Sequence, residues 1–368
     1  MAFLCGLLLA AAAHAANAMA APTIYGILGR DQIPQTITPA QNELDATASN
    51  ARVVRQVTFP VPISFPEINL PPTDVAHFSE GWFEYRLEIG TDGSVSRIDL
   101  IESFKSFRNT WLEKLIRDYV AASRWTPASE NGHPVAWEVS FIQLVMLRQK
   151  PETRYMFNGL YSPIKSALDR KEYAKAKQLI EDLLQTDVTR LGEFGLLKMA
   201  LYAAEQGLGN PHAARRAIGI ATNELFTILD YSDLLIAFRN RIEVDRGLRD
   251  YGDALKTFER VQAASSGKAG KPTTDLIAAI QADIASGAPI PSSIEIDRFG
   301  EQRIVPVRSR FSLAGPQGPS AVFLVCGGMF QQLLVPLSGE WPVANLRPGC
   351  ELGFNGLPGA RFTLNQLN

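Results

Sequence analysis

The sequence predicts a multidomain chain of the α+β class, and three observations carry that reading. Over residues 83–101, apolar and polar residues alternate with a period of two, as along a half-buried strand. Over 152–286 the apolar positions recur every three or four residues instead, as on helices. From Ile294 onward, short apolar runs return between Gly and Pro, which reads as a small antiparallel β-domain. The 368 residues suffice for two or three domains at about 100–200 residues each. A net charge of -2 lacks the basic bias of a nucleic-acid surface, so no nucleic-acid partner is expected.

The N-terminus reads as an export signal. Phe3 to Leu9 is apolar, an Ala-rich stretch follows, and Ala18-Met19-Ala20 fits the small-x-small rule, predicting a signal peptide over 1–20 cleaved near Ala20. An uncleaved membrane anchor is the alternative. The Ala-dominated end speaks against it, because a span calls for about 20 strongly apolar residues. No other segment is long and apolar enough, so the mature chain is expected to have no transmembrane span and to be periplasmic. Cys5 leaves with the signal. Cys326 and Cys350 remain, and an even count in an exported chain predicts one disulfide, with two free buried thiols as the alternative.

Residues 21–74 hold Pro60, Pro62, Pro66, Pro71 and Pro72, predicting an extended N-terminal segment unsuited to a central strand. Within it, 57–59 and 63–65 can pair along an edge. Residues 75–150 read more sharply. Phe83, Tyr85, Leu87 and Ile89 give one strand, Thr91-Asp92-Gly93 a tight turn, and 95–101 a second strand. Trp111, Leu112, Leu115, Ile116, Tyr119 and Val120 place an amphipathic helix over 109–123. Asn131-Gly132 then turns the chain into a last strand over 135–147, completing a ββαβ order.

Residues 151–290 form the helical region. Ala176, Ala214 and Ala254 each occupy the first buried position of a helix after a short turn, with spacings of 38 and 40 residues. Small residues there let paired helices approach closely, so the region resembles degenerate tetratricopeptide repeats; a plain bundle is the alternative. Residues 265–272 are read as a loop before a further helix over 273–286. Residues 291–368 offer strands near 294–296, 321–325, 333–337, 350–354 and 361–364, read as a sandwich pinned by Cys326–Cys350. Gly356-Leu357-Pro358-Gly359 reads as its last hairpin turn.

Asp92-Gly93, Glu102-Ser103, Trp125-Thr126-Pro127-Ala128 and Asn131-Gly132-His133-Pro134-Val135 stand in the order found in the C-terminal domain of TonB-type energy transducers. About 75 residues carry this resemblance. Each motif also has a fold-making role: Trp125 as a core plug, Pro127 as a stop after the helix, Asn131-Gly132 as a turn. The resemblance implies a ββαβ fold and a sheet edge that meets short segments of envelope or outer-membrane proteins. By that analogy the candidate peptide-binding edge is the last strand, with Val135, Trp137, Val139 and Phe141. This chain shows no long Pro-rich spacer before the module, and the module is internal, which speaks against energy transduction. The edge then serves docking alone, or pairs with the chain's own residues 57–66.

No catalytic pattern stands out. His77, His133 and His212 fall in different regions without a second ligand at metal spacing, and there is no nucleophile elbow, P-loop or dinucleotide fingerprint. Glu181 with Asp182, and Asp230 with Asp233, read as solvated helix faces. The sequence therefore predicts no catalytic, cofactor or metal site. A concave helical surface offers Tyr173, Tyr202, Phe226, Tyr231 and Phe238 as aromatic contacts. The expected function is that of a non-enzymatic envelope adaptor that binds proteins through a sheet edge and a helical groove. The alternatives are an envelope enzyme or glycan-binding protein with a site assembled from separate segments, and an energy-transduction component.

Overall fold

The computed structural model describes residues 23–28, 44–45, 51–66, 80–105, 110–146, 153–186, 188, 190–223, 228–315, 318–336, 338–343 and 346–368. The chain mixes helices with antiparallel sheets. The expected signal segment 1–20 and His77 lie outside the described residues.

The first half supplies strands β1 (Thr23–Leu28), β2 (Leu44–Asp45), β3 (Arg52–Thr58), β4 (Pro62–Ser64), β5 (Gly81–Ile89) and β6 (Val95–Lys105). Helix α1 (Thr110–Ala121) follows, then β7 (Arg124–Trp125), β8 (Ala128–Glu130), β9 (His133–Val135) and β10 (Trp137–Met146). β5 and β6 form a hairpin, β10 pairs antiparallel with β5, and β1 pairs antiparallel with β10. Phe83, Tyr85, Leu87 and Ile89 alternate to one face of β5 and share a core with Leu112, Ile116 and Val120 of α1. The Asp92-Gly93 turn and Trp125 touch: the Trp125 N–H donates to the Gly93 carbonyl at 3.0 Å. A Cβ on Gly93 would lie 1.9 Å from the Trp125 carbonyl, and its φ is +77°, so only glycine fits. Asn131 and Gly132 both take positive φ, +52° and +81°, the geometry of the two-residue turn between β8 and β9. Ala136 separates β9 from β10, so the single last strand expected over 135–147 is two strands in different sheets.

The helices are α2 (Phe157–Asp169), α3 (Tyr173–Thr186), α4 (Leu191–Gly207), α5 (Pro211–Ala221), α6 (Tyr231–Gly247), α7 (Tyr251–Ala264) and α8 (Lys271–Ala285). Three joints, α2–α3, α4–α5 and α6–α7, are built alike. Lys171, Gly209 and Arg249 sit in the left-handed region at φ of +60°, +75° and +60°, two residues after each helix ends. The next residue donates back to the third-last helical carbonyl: Glu172 to Ala167 at 2.8 Å, Asn210 to Glu205 at 2.9 Å, and Asp250 to Asp245 at 2.8 Å. These bonds satisfy carbonyls that a helix end leaves bare. Ala176, Ala214 and Ala254 are each fully buried.

Charge repeats with the same register. Lys177 of α3 reaches Glu205 at the end of α4, at 2.9 Å, and Arg215 of α5 reaches Asp245 at the end of α6, at 2.8 Å. Arg215 also meets Asp250 at 2.5 Å and Asp253 at 3.0 Å, while Arg241 holds the other side of Asp245 at 2.7 Å. Burial, then the neighbouring Asp253, pushes the Asp250 carboxyl well above the ordinary aspartate range, against the pull of Arg215.

The last third contributes β11 (Ile290–Glu295), β12 (Glu301–Ile304), β13 (Arg310–Ala314), β14 (Ala321–Cys326), β15 (Met329–Pro336), β16 (Trp341–Pro342), β17 (Glu351–Asn355) and β18 (Arg361–Leu367). One sheet runs β11-β18-β13-β16. The other runs β12-β17-β14-β15, and residues of both meet around Phe311, Val322, Trp341, Phe354 and Leu364. Cys326 and Cys350 are disulfide-bonded. Gly356–Gly359 makes a corner rather than a hairpin, because β17 and β18 lie in different sheets.

The expected boundary of the N-terminal segment at residue 74 does not mark a separate body. β3 is an interior strand, paired with β15 on one side and β8 on the other, so one sheet continues from the C-terminal sandwich to β9. Pro60 and Pro62 fall beyond its end, which is why it can be central. Arg55 clamps β8 with two 2.8 Å bonds to Glu130. Phe59, Trp137 and Phe330, from three regions, pack in one row with tilted rings whose centroids are 5.8 and 5.4 Å apart.

Candidate functional site

The candidate edge strand has two distinct stretches. From Phe141 to Met146 its outer side is taken by β1, with Leu28 opposite Phe141 and Thr23 opposite Met146. The edge therefore pairs within the chain, with residues 23–28 rather than 57–66. The side chains singled out for binding are also not presented to a partner. Trp137, Val139 and Phe141 are at most 1% exposed. Trp137 lies between Phe59 and Phe330, and Phe141 stacks on Phe65 with centroids 5.4 Å apart. Val135 belongs to β9, opposite Ala128. Their inward alternation follows from the period of two: the face that gives a strand its apolar pattern is the face that the core takes. What this strand can offer a partner is main chain.

The two sides of the sheet differ. The edge formed by β6 carries two register shifts, leaving Ile101 and Ser96 as extra residues, and exposes Arg97 and Asp99. Bulges and charges of this kind blunt an edge against further pairing. β10 pairs on both flanks without any shift.

The face of this sheet opposite α1 is covered by the rest of the molecule. Trp82 and Phe104 pack on Phe194 of α4 at 5.9 and 4.8 Å. Glu80, 2% exposed, accepts the Leu191 N–H at 2.7 Å and so caps the first turn of α4. Glu102 accepts from Lys198 of α4 at 3.2 Å and from Arg298, in the β11–β12 connection, at 2.7 Å. One carboxylate thus ties the sheet to both neighbouring regions. Directly opposite it across the hairpin stands Glu84, which accepts from the Ser140 hydroxyl at 3.3 Å.

These two carboxyls are driven apart electrostatically. Burial, then the facing Glu102, raises the Glu84 carboxyl above its ordinary value. Burial would raise Glu102 as well, but Lys198 and Arg298 outweigh it and hold Glu102 below the glutamate range. One carboxyl raised beside another lowered is the kind of division that acid–base hydrolysis uses. Here, however, both Glu102 oxygens are already engaged by cations from other elements. Alternation assigns Glu84 and Glu102 to a solvated face, which hides them as a pair in the sequence. Trp82-Phe83 and Phe104 carried the missing signal, since aromatics on both faces of a strand mean that both are covered.

The helical aromatics divide in the same way. Tyr202 and Phe238 are core residues, 7% and 3% exposed. Tyr173 packs where a Cβ on Gly207 would lie 2.4 Å from its ring. Tyr231 is 56% exposed, at the start of α6, and Phe226 lies outside the described residues. Asp230 caps α6, its side chain accepting the Asp233 N–H at 2.9 Å.

His212 Nε2 lies 3.1 Å from the Ser293 hydroxyl, beside Glu295, which Arg216 and Arg361 hold at 3.0 and 2.6 Å. Burial lowers the His212 pKa to about 4, with the arginines opposing Glu295, so the ring is neutral at pH 7. Among the described residues, no group of three or more His, Cys, Asp or Glu is placed to hold a metal ion, and no helix is long and apolar enough to cross a membrane. Compared with known proteins, the chain matches no family model and no curated sequence.

Proposed function

We propose that this protein is an exported, periplasmic adaptor that binds envelope or outer-membrane proteins through main chain at a sheet edge and through its helical array. The observation that carries this reading is the shift-free edge of β10, already completed by a strand added from elsewhere in the chain. Strand addition at an edge gives affinity through backbone hydrogen bonds and needs no catalytic residue. The likeness of 75–150 to TonB C-terminal domains, and of 151–290 to tetratricopeptide repeats, supports the same reading. The ties through Glu80, Glu102 and β3 hold edge and array in fixed relation, which suits a scaffold that presents two surfaces at once.

In-cell crosslinking of the full-length chain, with the intact mass of the recovered bait, tests this. Capture of an outer-membrane or envelope protein by a bait beginning at Ala21 is the expected result. A bait that retains residues 1–20 and captures inner-membrane motor proteins would replace the adaptor with an energy-transduction component. The Glu84–Glu102 pair supports a second reading, an envelope hydrolase acting on glycan. Turnover of cell-wall or polysaccharide substrate that disappears in Glu84→Gln would favour it over the adaptor.

A further inference from the structure

Away from the sheet edge, one surface cluster joins a nucleophile to a base. His212 and Arg216 stand about one turn apart on α5, and Ser293 and Glu295 lie on the same face of β11. His212 Nε2 is 3.1 Å from the Ser293 hydroxyl, and Arg216 reaches Glu295 at 3.0 Å. Both elements are rooted on the α6–α7 joint. The Ser293 N–H donates to the Leu248 carbonyl at 3.0 Å, and the Ser292 hydroxyl to the Arg249 carbonyl at 2.8 Å. Arg215 ties α5 to the same joint through Asp245, at 2.8 Å. A nucleophile and a base held by anchored elements keep the spacing that proton transfer needs. Ser293 is exposed, so a substrate can reach its oxygen.

The surroundings fit that transfer. Burial, with Arg215, Arg216 and Arg361 nearby, keeps the His212 ring uncharged at pH 7, and its place at the start of α5 acts the same way. With the ring proton on Nδ1, Nε2 accepts from a hydroxyl. Glu295, held by Arg216 and by Arg361 at 2.6 Å, works in the opposite sense and favours positive charge on the ring. It therefore steadies the imidazolium that forms as the hydroxyl gives up its proton. We propose that Ser293 and His212 form a catalytic pair that hydrolyses carboxylic esters carrying a negative charge on the acyl chain. The Ser293 oxygen adds to the ester carbonyl carbon while its proton passes to His212 Nε2, and the alcohol leaves with that proton. Water then gives a proton to the same ring and takes the acyl group away as the acid, and the proton returns to Ser293. Arg216 and Arg361, with side chains 54% and 73% exposed, supply the preference for an anion. So weakly basic a ring makes turnover slow. This activity goes beyond the adaptor reading and does not depend on it.

The test uses the full chain, a fluorophosphonate probe, and two chromogenic esters of equal chain length, p-nitrophenyl hexanoate and the p-nitrophenyl half-ester of adipic acid. Native protein is labelled, and peptide mass spectrometry places the label on Ser293. Ser293→Ala, at an exposed position, melts like native and loses at least about 100-fold in labelling and turnover. His212→Gln loses as much while keeping the serine. After subtraction of the uncatalysed rate, turnover by the native chain falls on the acid side near the His212 value of about 4, and Glu295→Gln moves that limb to lower pH. The limb is read on the native chain, so it decides even where His212→Gln unfolds. The adipate ester is cleaved faster than the hexanoate, by about threefold or more, and Arg361→Gln removes that preference. Labelling that survives Ser293→Ala, a native chain that takes no label, or an acid limb at the ordinary histidine value of 6.5 overturns the proposal. Equal or reversed rates on the two esters overturn the anionic substrate.

Discussion

Replacing Arg215 by methionine removes the guanidinium that reaches Asp245, Asp250 and Asp253 together, at 2.8, 2.5 and 3.0 Å. All three carboxyls are at most 4% exposed, so water cannot substitute for the lost partner. Removing one side of a buried ion pair costs about 3–5 kcal/mol. Two features keep this case near the lower end. Asp245 retains Arg241 at 2.7 Å, and burial with the neighbouring Asp253 already pushes the Asp250 carboxyl well above the ordinary aspartate range. The expected loss is about 3 kcal/mol, read as a drop in melting temperature of at least about 6 °C. Acid should relieve it, because Asp250 is already pushed toward its neutral form, so the gap between variant and native narrows as the pH falls to 4. The equivalent change one repeat earlier, Lys177→Met, leaves Glu205 with Asn210 at 2.9 Å and costs about 1 kcal/mol. Urea and thermal unfolding at both pH values measure all of this. A variant that melts within about 2 °C of native at pH 7, or loses equally at pH 7 and pH 4, would refute the electrostatic account of the joint.

Three further outcomes follow from the geometry. Gly209→Ala, at φ +75° with open space around a Cβ, loses about 1 kcal/mol to backbone strain alone, whereas Lys171→Gly at φ +60° gains about 0.5 kcal/mol; urea midpoints that move in the same direction would contradict the shared joint. His212 titrates near 4 in the fold against an ordinary 6.5, so the unfolded chain binds more protons between those values and native stability falls as pH drops through that window. His212→Asn should flatten the stability curve there by about 1 kcal/mol after solvent screening, measured by urea unfolding from pH 4 to 7. Cys326→Ala with Cys350→Ala releases a crosslink spanning 24 positions and costs about 3 kcal/mol, visible as a lower melting temperature that reductant no longer changes.

What could be read from the sequence was local. Asn131-Gly132 announces a turn that needs two positive φ values, and both residues take them. The alternation from Phe83 to Ile89 names its buried face, and the alanines at 176, 214 and 254 mark where helices touch. Pairing was hidden wherever the partner is remote. Nothing in residues 52–58 says that one neighbour lies at 329–334 and the other at 129–130. For the same reason the corner at Gly356–Gly359 resembled a hairpin, since glycine and proline report a change of direction and not which strand comes next. The candidate site suffered most: Trp137, Val139 and Phe141 form a regular pattern because they are core. The edge they belong to is defined by β1, more than a hundred residues earlier in the chain.

The bridging position of β3 has a consequence for the order in which the molecule can be made. Gln56 and Met329, which touch across β3 and β15, are 273 positions apart. A chain emerging from its N-terminus carries β3 long before either of its flanking sheets can close around it, and contacts of such separation are slow to form. Until Met329–Pro336 arrives, Val53 and Val54 belong to an open strand, the kind of segment that escorting chaperones bind. Completion of the long sheet therefore reports that synthesis has passed Pro336. A product truncated before residue 329 is expected to be left with an unsatisfied strand near its own beginning, a mark by which proteolysis can distinguish it from the finished protein.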